Sequence, residues 1–517
     1  MLQGTGSHVG KSVLVAALCR IFLQDGYKVA PFKSQNMALN SYVTADGGEM
    51  GRAQVVQAEA AGLAPDVIMN PVLLKPTGQA TSQVIVMGKP VGNLSAMEYH
   101  EKYNLTALGV VEEALNTLKS KYEIIAIEGA GSPAEVNLQA TEIVNMRIAR
   151  MADCPVLLVA DIDKGGALAS VVGTLELLDP ADRARVAGIL INKFRGDVRL
   201  FQPAVEFLEK KTGIPVLGII PYFQGFRVQE EDTIPENTMK AGPAWVADKI
   251  DVAVINLPHV SNFTDFDPLE DEPDIHLRYV SKADKLGTPD MIIVPGSKNT
   301  IHDLAYLVKS GLAEAIREND KRGIPIVGIC GGYQILGREL HDPLHTESDI
   351  DSMKGLGLLN ISTTFEPDKI TTQVQAEVIG PGPLLGGIQD AQVTGYEIHM
   401  GRTELGAGVA PAFRIFERSA REVDLLDGAV RADGKVFGTY IHGVFDNDAF
   451  RRHIINLIRS QKGWGPLADR EIITVAEQRE KDFNKLADVV RNSLDMEKLY
   501  QIMGLDAENK ARQMGAV

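Results

Sequence analysis

One short stretch, residues 323–334, limits the folds open to this chain. An apolar run rich in isoleucine and valine, residues 324–329, follows a glycine and leads into Cys330-Gly331-Gly332. A run of this length, bounded by glycines, predicts a buried parallel strand that ends in a tight turn. The stretch therefore predicts that a strand delivers Cys330 into the turn before a helix.

Cys330 is predicted to be a nucleophile. In a Gly-x-Cys-Gly-Gly turn the small flanking residues permit a strained strand-to-helix geometry, and the backbone N–H of Gly331 can face a developing oxyanion. A helix N-terminus beneath the sulfur would favour the thiolate, which is the form that attacks. The alternative is a buried core cysteine, which is common. A core cysteine, however, does not need two glycines beside it.

A general base is expected at the end of a second apolar strand. Residues 436–441 run into His442-Gly443. A nucleophilic cysteine needs a base that lies near it in space, although the two can be far apart in sequence. A lone histidine at a strand end is ordinarily a hydrogen-bonded structural residue. It is the pairing with Cys330 that favours one shared site.

Composition limits the class of protein. A chain of 517 residues with 45% hydrophobic residues is expected to form two or three packed domains. The three cysteines form no CxxC pair, which fits a reducing cytoplasm and argues against structural zinc. A net charge of −16 disfavours a nucleic-acid partner. No apolar run reaches the roughly 18 residues of a membrane span, and no signal-peptide pattern is present. We therefore expect a cytoplasmic protein that binds neither nucleic acid nor membrane; its oligomeric state, a homo-oligomer included, stays open.

The alternation of apolar runs with helical stretches predicts two α/β domains. Residues 1–223 are expected to form a doubly wound parallel sheet, residues 224–249 a polar linker, residues 250–455 a second α/β domain and residues 456–517 a short C-terminal helical extension. Strands are expected at 28–32, 123–128, 155–160, 186–192 and 215–220 in the first domain, and at 252–256, 291–294, 325–329 and 436–441 in the second.

A glycine-rich loop opens the chain and precedes an apolar helical stretch. Backbone N–H groups of such a loop, backed by a helix N-terminus, cradle phosphates, and the alternative is a glycine-rich turn with an incidental Lys-Ser pair. The residues predicted to bind ATP are Gly4, Gly6, Gly10, Lys11, which would reach the outer phosphates, and Ser12, which would bind Mg²⁺. Only three residues precede Gly4, so the strand that leads into the loop either begins upstream of Met1 or is very short.

Acidic residues end two of the expected strands in the first domain. Because ligands of an open parallel sheet bind at the carboxyl ends of its strands, acids there can reach Mg²⁺ or its water. Glu128 is the better metal candidate, together with Ser12. For Asp161 and Asp163 an acidic helix N-cap is an equal alternative.

An acidic substrate would need a local basic cluster in a chain this acidic. Lys33, Asn36 and Arg52 are predicted to face it. Three further basic residues belong to the same hypothesis, although each taken alone would be a solvated charge: Lys75, Arg147 and Arg195.

The cysteine and histidine segments together resemble the class I glutamine amidotransferases, in which such a pair releases ammonia from glutamine. The resemblance implies that Gln334 helps to hold the glutamine and that Gly296 belongs to the oxyanion loop. The commonest members carry a glutamate two residues after the histidine; this chain has Val444 there and looks like the subgroup that amidates corrins. Which group orients the histidine stays open, with Glu397 and Asp446 as candidates.

The first domain resembles the dethiobiotin synthetase-like branch of P-loop enzymes. Five residues separate Gly4 from Gly10, one more than in the usual motif, and this longer form is typical of that branch. The resemblance implies that Asn192 reads the nucleotide base.

A run of further motifs resembles the corrin amidotransferase family, and within it the cobyric acid synthases. The resemblance implies amidation of the b, d, e and g side-chain carboxylates of adenosylcobyrinic acid a,c-diamide to adenosylcobyric acid in cobalamin synthesis. It further implies an acyl phosphate made with ATP and Mg²⁺, and ammonia released from glutamine. The motifs lie at residues 32–41, 128–135, 191–197, 261–268, 295–300 and 395–401.

Two alternatives stay open. The sister enzyme, cobyrinic acid a,c-diamide synthase, shares both domains but is disfavoured by residues 33–41. A nucleotide-switched scaffold, with a partition-type ATPase domain and a vestigial Cys330, would hydrolyse no glutamine.

Overall fold

The structure is a computed structural model, and it describes residues 1–78, 81–99, 104–223, 246, 248–388, 391–467 and 474–505. The chain forms two compact units. The first unit comprises Met1–Ala38, Met50–Glu231 and Gln478–Val517, and the second comprises Leu39–Glu49 and Asp232–Glu477. Most of the predicted linker, 224–249, lies outside the described residues.

Among its described residues, the first unit is built on six parallel strands, which confirms the parallel sheet predicted from the sequence. A short strand, Leu2–Gly4, lies in the middle of this sheet, where it pairs with Val156–Asp161 and bridges to Glu128. The three residues before the loop therefore do form a strand. Across the sheet the order is Val29–Phe32, Ile124–Ile127, Leu2–Gly4, Val156–Asp161, Val186–Phe194 and Val216–Pro221.

Helices and a smaller sheet complete the first unit. The smaller sheet has four strands, in the order Gln35–Met37, Val72–Gly78, Thr81–Val86 and Lys89–Ser95. The α-helices before the linker are Lys11–Gln24, Arg52–Ala60, Ala96–Glu98, Asn104–Lys121, Met146–Ala152, Ala167–Leu177, Pro180–Arg183 and Gln202–Thr212, with 3₁₀ turns at Val67–Met69 and Val198–Phe201.

The C-terminal helices, Val475–Ser493 and Met496–Ile502, pack on the helix that follows the phosphate-binding loop. Apolar side chains of the first C-terminal helix, Phe483 and Leu486 among them, share a buried core with Lys11–Gln24. Polar contacts flank this core: Arg20 pairs with Glu480 and Asn484, and Arg491 pairs with Asp25 at 2.9 Å. The predicted helical extension thus supplies core to the nucleotide-binding unit.

In the part of the second unit that the structure describes, the central sheet has seven strands. Its first five strands are parallel, and Ile326–Ile329, the strand predicted to carry Cys330, lies among them. These strands are almost wholly apolar and buried, which is typical of parallel strands covered on both faces. The sheet order is Ile275–Val280, Ile250–Ile255, Met291–Val294, Ile326–Ile329, Val436–Thr439, Ala429–Arg431 and Val409–Ala410.

Among the described residues of the second unit, a largely antiparallel sheet and eight helical segments complete the fold. The long strands Ile361–Val378 and Gln392–Leu405 pair with each other. The other strands of that sheet are Ser352–Lys354, Glu339–His341, Phe413–Arg418 and Arg421–Asp427, and a small ladder joins Ser41–Val43 to Glu49–Gly51. The helices are Asp267–Glu270, Ala283–Leu286, Thr300–Lys309, Leu312–Lys321, Gly331–Ile335 and Asp448–Gln461, with 3₁₀ turns at Phe263–Phe266 and Val444–Asp446.

Two similar helix ends show how local sequence directs these elements. Gly213 ends Gln202–Thr212 with a φ of 73°, and Gly323 follows Leu312–Lys321 with a φ of 82°. Glycine adopts this left-handed conformation without strain, and the proline two residues later cannot continue a helix. Each helix is followed within a few residues by a strand, which is half-buried at Val216–Pro221 and buried at Ile326–Ile329. In the part of the chain that the structure describes, no helix is both long and apolar enough to cross a membrane.

Candidate amidotransferase and nucleotide sites

Cys330 occupies a strained turn between a buried strand and a short helix. It follows Ile326–Ile329, has φ 50° and ψ −111°, and caps the helix Gly331–Ile335. A non-glycine residue at positive φ is uncommon and persists where its surroundings hold it. Its backbone N–H donates to Thr439 O at 2.8 Å, and a Cβ at Gly332 would overlap Val294 O. The turn therefore has the geometry of a nucleophile elbow.

The two glycines predicted to form an oxyanion site lie beside this turn. A Cβ on Gly331 would lie 2.8 Å from Ser297 N, and a Cβ on Gly296 would lie 3.3 Å from His442 Cε1. Gly296 also accepts a hydrogen bond from Ser261 N at 3.0 Å. The structure thus brings both glycines together with the histidine around the cysteine turn.

His442 is buried and held on both sides. Its Nδ1 donates to Asp265 Oδ2 at 2.6 Å, and its ring stacks on Tyr396 with centroids 5.2 Å apart. Burial by itself lowers the pKa of His442, but the charges of Asp265 and of the Cys330 thiolate, with a hydrogen bond to each, raise that pKa to about 10. The site therefore favours the imidazolium form of His442 at neutral pH.

Asp265 is the residue that the sequence analysis missed as the orienting group. Of the two candidates named there, Glu397 pairs instead with Arg418 at 2.7 Å, and the single Nδ1 proton of His442 goes to Asp265 rather than to Asp446. Asp265 lies in the motif at residues 261–268, to which the family resemblance assigned no role. Its separation of 177 residues from His442 gave no local signal.

Gln334 lies fully buried one helical turn after Cys330. Its backbone N–H donates to Cys330 O at 3.1 Å, its side-chain carbonyl accepts from Thr300 Oγ1 at 3.2 Å, and its amide donates to Tyr440 OH at 3.1 Å. Gly401 leaves room for it, because a Cβ there would overlap Gln334 Nε2. The geometry places Gln334 beside the cysteine turn, as a role in holding glutamine requires.

The phosphate-binding loop is closed around its lysine. Lys11 is buried, and its Nζ donates to Gly6 O at 3.1 Å and Gly131 O at 3.3 Å. A Cβ on Gly4 would lie 2.7 Å from Gly6 O, and Gly10 has a φ of 95°. Two of the three loop glycines are thus required by close approach or by backbone conformation.

Glu128 is the centre of a buried polar cluster in the first unit. Its Oε1 accepts from Ser12 Oγ at 2.8 Å and from Lys33 Nζ at 2.9 Å, and its Oε2 accepts from Gln57 at 2.6 Å and Gln54 at 3.3 Å. Burial by itself raises the pKa of Glu128, but the Lys33 charge and the hydrogen bonds outweigh it and hold that pKa below its usual range. The carboxylate is therefore kept ionised.

The same cluster offers oxygen donors of the kind that would hold a magnesium ion. Ser12 Oγ and Glu128 Oε1 lie 2.8 Å apart, near the spacing of adjacent ligands around Mg²⁺ at about 2.1 Å. Nowhere in the described ranges do three or more His, Cys, Asp or Glu side chains form a metal-binding group. A hydroxyl and one carboxylate suit Mg²⁺, which usually completes its shell with water and substrate phosphates.

Three further residues predicted from the sequence, Asn36, Arg52 and Asn192, lie in the first unit. Asn36 joins the Glu128 cluster, because its amide donates to Gln54 at 2.8 Å, and Arg52 begins a helix and is buried. Asn192 donates to Val9 O at 2.8 Å, so its amide supports the phosphate loop.

The other charged candidates have local partners. Asp161 pairs with Lys193 at 3.0 Å, and Arg195 pairs with Asp163 at 2.6 Å and lies over the Tyr222 ring. Arg147 donates to Ala140 O at 2.8 Å, and Lys75 is buried in the small sheet. Lys33, also predicted from the sequence, directly contacts the Glu128 carboxylate.

Two family models and several curated relatives match this chain. A CobQ/CobB/MinD/ParA nucleotide binding domain matches residues 1–235, and a CobB/CobQ-like glutamine amidotransferase domain matches residues 251–450. Cobyric acid synthase of Pelotomaculum thermopropionicum is 55% identical over 508 residues, which are 98% of this chain and 96% of that one. Those of Desulfitobacterium hafniense and Moorella thermoacetica are 56% identical over 509 residues (98% of each chain) and 57% identical over 506 residues (98% and 97%). The chain belongs to the cobyric acid synthase family.

Proposed function

We propose that this protein amidates the b, d, e and g carboxylates of adenosylcobyrinic acid a,c-diamide, with ATP to activate each carboxylate and glutamine to supply ammonia. The observation that carries the proposal is the Cys330–His442–Asp265 arrangement in a chain whose other unit holds a phosphate-binding loop. The identity of 55% over 508 residues to a cobyric acid synthase supports the corrin substrate.

In the second unit, Cys330 attacks the side-chain amide of glutamine. Its thiolate forms the carbon–sulfur bond, and the N–H groups of the Gly296 and Gly331 segments stabilise the oxyanion. His442 gives its Nε2 proton to the leaving nitrogen, and ammonia departs. Water, deprotonated by the same histidine, then hydrolyses the thioester to glutamate.

In the first unit, the loop residues and the Glu128 cluster serve the transfer of the γ-phosphoryl group to a carboxylate. Lys11 neutralises charge on the phosphates, and backbone N–H groups of the loop cradle them. Ser12 and Glu128 would hold Mg²⁺, which would supply positive charge to the phosphate oxygens. Lys33, 2.9 Å from Glu128, is placed to bring positive charge to the incoming carboxylate or to the phosphate.

The two reactions need each other chemically. A carboxylate does not react with ammonia until phosphorylation supplies a leaving group, and free ammonia at neutral pH is mostly protonated and unreactive. Release of ammonia from glutamine in the same protein supplies the unprotonated nucleophile. The acyl phosphate then loses phosphate as the amide forms, so each cycle yields an amide, ADP, phosphate and glutamate.

The test is the Cys330→Ser variant, assayed with two nitrogen sources. We expect glutamine-dependent amidation to be abolished and ammonium-dependent amidation to remain, because only the ammonia source is removed. Loss of both activities in a folded protein would contradict separable sites. Wild-type protein that forms no amide with ammonium salts, Mg·ATP and the diamide would overturn the proposal.

A second assay distinguishes this reaction from that of the sister enzyme. Purified protein is incubated separately with the a,c-diamide and with unamidated cobyrinic acid. We expect consumption of the diamide, since the matched relatives described above are named for the synthesis of cobyric acid. Preferential consumption of the unamidated acid would assign the chain to the first amidation step.

A further inference from the structure

A segment early in the chain, Leu39–Glu49, groups with the amidotransferase unit, although the residues on both sides of it group with the nucleotide-binding unit. We call Leu39–Glu49 the strap. It is held by Gln373, which donates to Val43 O, and by a buried ion pair between Lys369 and Glu49 at 2.5 Å. The strap is thus built into the second unit.

The backbone of Ser41, in the strap, is bound on both sides by residues that contact the catalytic histidine. Ser41 N donates to Asn262 Oδ1 at 3.1 Å, and Ser41 O accepts from Tyr396 OH at 3.3 Å. Asn262 Nδ2 lies 3.4 Å from His442 Nε2, and the Tyr396 ring stacks on the imidazole. The backbone of Ser41 is therefore linked to His442 through two residues, Asn262 and Tyr396.

Ser41 determines which way the Asn262 amide points. A backbone N–H can only donate, so the Asn262 atom that faces Ser41 N must be the carbonyl oxygen. The NH₂ group is then turned toward His442 Nε2. Asn262 is 2% exposed and holds a left-handed φ of 52°, so the side chain has little freedom to avoid this contact.

This orientation suits one protonation state of His442 and opposes the other. When Nε2 carries a lone pair, the Asn262 NH₂ group donates to it. When Nε2 carries a proton, two donors face each other at 3.4 Å. The charged groups that face the ring, Asp265 at Nδ1 and Cys330, both favour the protonated form, so Asn262 works against them.

We infer that Asn262 is a positioning residue through which the strap restrains the imidazolium–thiolate pair of the amidotransferase site. While Ser41 N holds the Asn262 carbonyl, the amide disfavours the Nε2 proton. If the strap withdraws, the amide can turn its oxygen toward Nε2–H and stabilise the reactive pair. This inference concerns regulation of the glutamine site and rests on the proposed function.

The residues that flank the strap would couple its position to the binding of substrate. Lys33 and Asn36 precede it and Arg52 follows it, and all three are predicted to face the acidic substrate. Lys33 and Asn36 also belong to the Glu128 cluster of the first unit. Binding of nucleotide and corrin at those residues would then change the position of Ser41 and release the glutamine site only when ammonia can be used.

The experiment measures the pH dependence of Cys330 alkylation by iodoacetamide in the full-length protein, with the modified peptide quantified by mass spectrometry. Ser41→Pro removes the orienting N–H together with the hydroxyl, at the first residue of a strand, where proline is tolerated. Asn262→Ala removes the amide. Ser41→Ala keeps the N–H and is the matched control, and Cys330→Ser identifies the labelled peptide. The assay needs neither glutamine nor amidation, so it is independent of the proposed function.

We expect the midpoint of the alkylation profile to move to lower pH by about half a unit or more in Ser41→Pro and Asn262→Ala, and to stay unchanged in Ser41→Ala. A purely structural role would slow alkylation without moving the midpoint. An unmoved midpoint in Asn262→Ala, or an equal shift in Ser41→Ala, would overturn the inference. Should Ser41→Pro fail to fold, Asn262→Ala decides.

A second arm adds Mg·ATP and the a,c-diamide to wild-type protein. We expect the wild-type midpoint to move toward that of Asn262→Ala, and the midpoint of the variant to stay in place. Ammonium-dependent amidation, measured in the same sample, shows whether these ligands are productively bound. A sample that amidates with ammonium while its midpoint does not move would refute the coupling and leave the proposed function intact.

Discussion

Asp265 Oδ2 accepts a hydrogen bond from His442 Nδ1 at 2.6 Å, across 177 residues of sequence. The other oxygen of Asp265 accepts from Gly443 N at 3.1 Å. The carboxylate is therefore held by two donors of one loop, and it sets both the orientation and the tautomer of the imidazole. In the commonest class I amidotransferases a glutamate lies two residues after the histidine. This chain has Val444 at that position, and Asp265 orients the histidine instead.

Replacement of Asp265 by asparagine should lower kcat for glutamine hydrolysis about 10²- to 10⁴-fold, since the imidazole loses the charge that holds its proton at Nδ1. Ammonium-dependent amidation should be unchanged, because that reaction does not use His442. The two rates are measured on the same preparation, with Glu397→Gln as the comparison. Retained glutamine hydrolysis in Asp265→Asn would mean that another group orients the histidine.

The stability of the second unit should depend on pH through His442. Its folded pKa, about 10, is raised above the unfolded value of 6.5. Protonation of this histidine therefore stabilises the fold fully below about pH 6.5, and the stabilisation is lost as pH rises through about 10. The free energies of unfolding of wild-type protein and Asp265→Asn, measured with urea, should differ less as pH rises across this range. A difference independent of pH would contradict the assignment.

Removal of the cation beside Glu128 should destabilise the first unit at neutral pH. Lys33 is 4% and Glu128 1% exposed, and breaking such a buried pair costs about 3–5 kcal/mol. The lowered folded pKa of Glu128 contributes stability above its unfolded pKa of about 4.3, and this contribution is lost as pH falls through the folded pKa. Lys33→Met should therefore lose stability at pH 7 and approach wild type in acid.

The double variant Lys33→Met/Glu128→Gln is the control for that prediction. With no charge left to bury, its free energy of unfolding at pH 7 should exceed that of Lys33→Met alone. Urea unfolding measures all three proteins. Equal stability of the single and double variants would show that the carboxylate finds enough compensation in Ser12, Gln54 and Gln57.

Two glycines of the phosphate loop should respond differently to alanine. Gly10 has a φ of 95°, and a Cβ there would overlap the Asn192 amide, whereas a Cβ at Gly6 meets no atom within 4 Å among the residues described. Gly10→Ala should cost about 1–3 kcal/mol of stability, and Gly6→Ala little. Thermal unfolding without nucleotide compares them. Equal loss in both variants would contradict the loop geometry.

Truncation of a C-terminal side chain should destabilise the nucleotide-binding unit. Phe483 is 5% exposed and packs in the core that contains helix Lys11–Gln24. Phe483→Ala should cost about 3–5 kcal/mol and weaken ATP binding, while glutamine hydrolysis persists to higher denaturant concentration. Phe207→Ala, at a site 51% exposed, is the matched control and should change little. If Phe483→Ala lost ATP binding and glutamine hydrolysis at the same denaturant concentration, Phe483 would not stabilise the nucleotide-binding unit selectively.

The sequence predicted the two sheets because the signals for them are local. Apolar runs such as those at residues 156–160 and 326–329, bounded by glycine and proline, specify buried parallel strands wherever they occur. The glycines around Cys330 and the loop from Gly4 to Gly10 likewise require particular backbone conformations in their own few residues. For this reason the strand positions agree with prediction to within one or two residues.

Contacts between residues that are far apart in the sequence could not be predicted from local signals. The sequence suggested Glu397 and Asp446 as partners of His442, whereas the carboxylate that accepts its proton, Asp265, lies 177 residues away and meets it only after folding. Sequence spacing contains no information on that distance. The family motif at residues 261–268 was the available clue, and it indicated importance without assigning a partner.

The sequence by itself determined that this chain has two α/β sheets, a cysteine delivered to a strained turn, a histidine at a strand end and a phosphate-binding loop. Only the tertiary structure decided that Asp265 orients His442, that residues 39–49 belong with the amidotransferase unit, and that the C-terminal helices belong with the nucleotide-binding unit. The physical reason is range. Periodicity and turn chemistry act over a few residues, whereas burial and hydrogen bonding are satisfied by whichever groups the folded chain brings together.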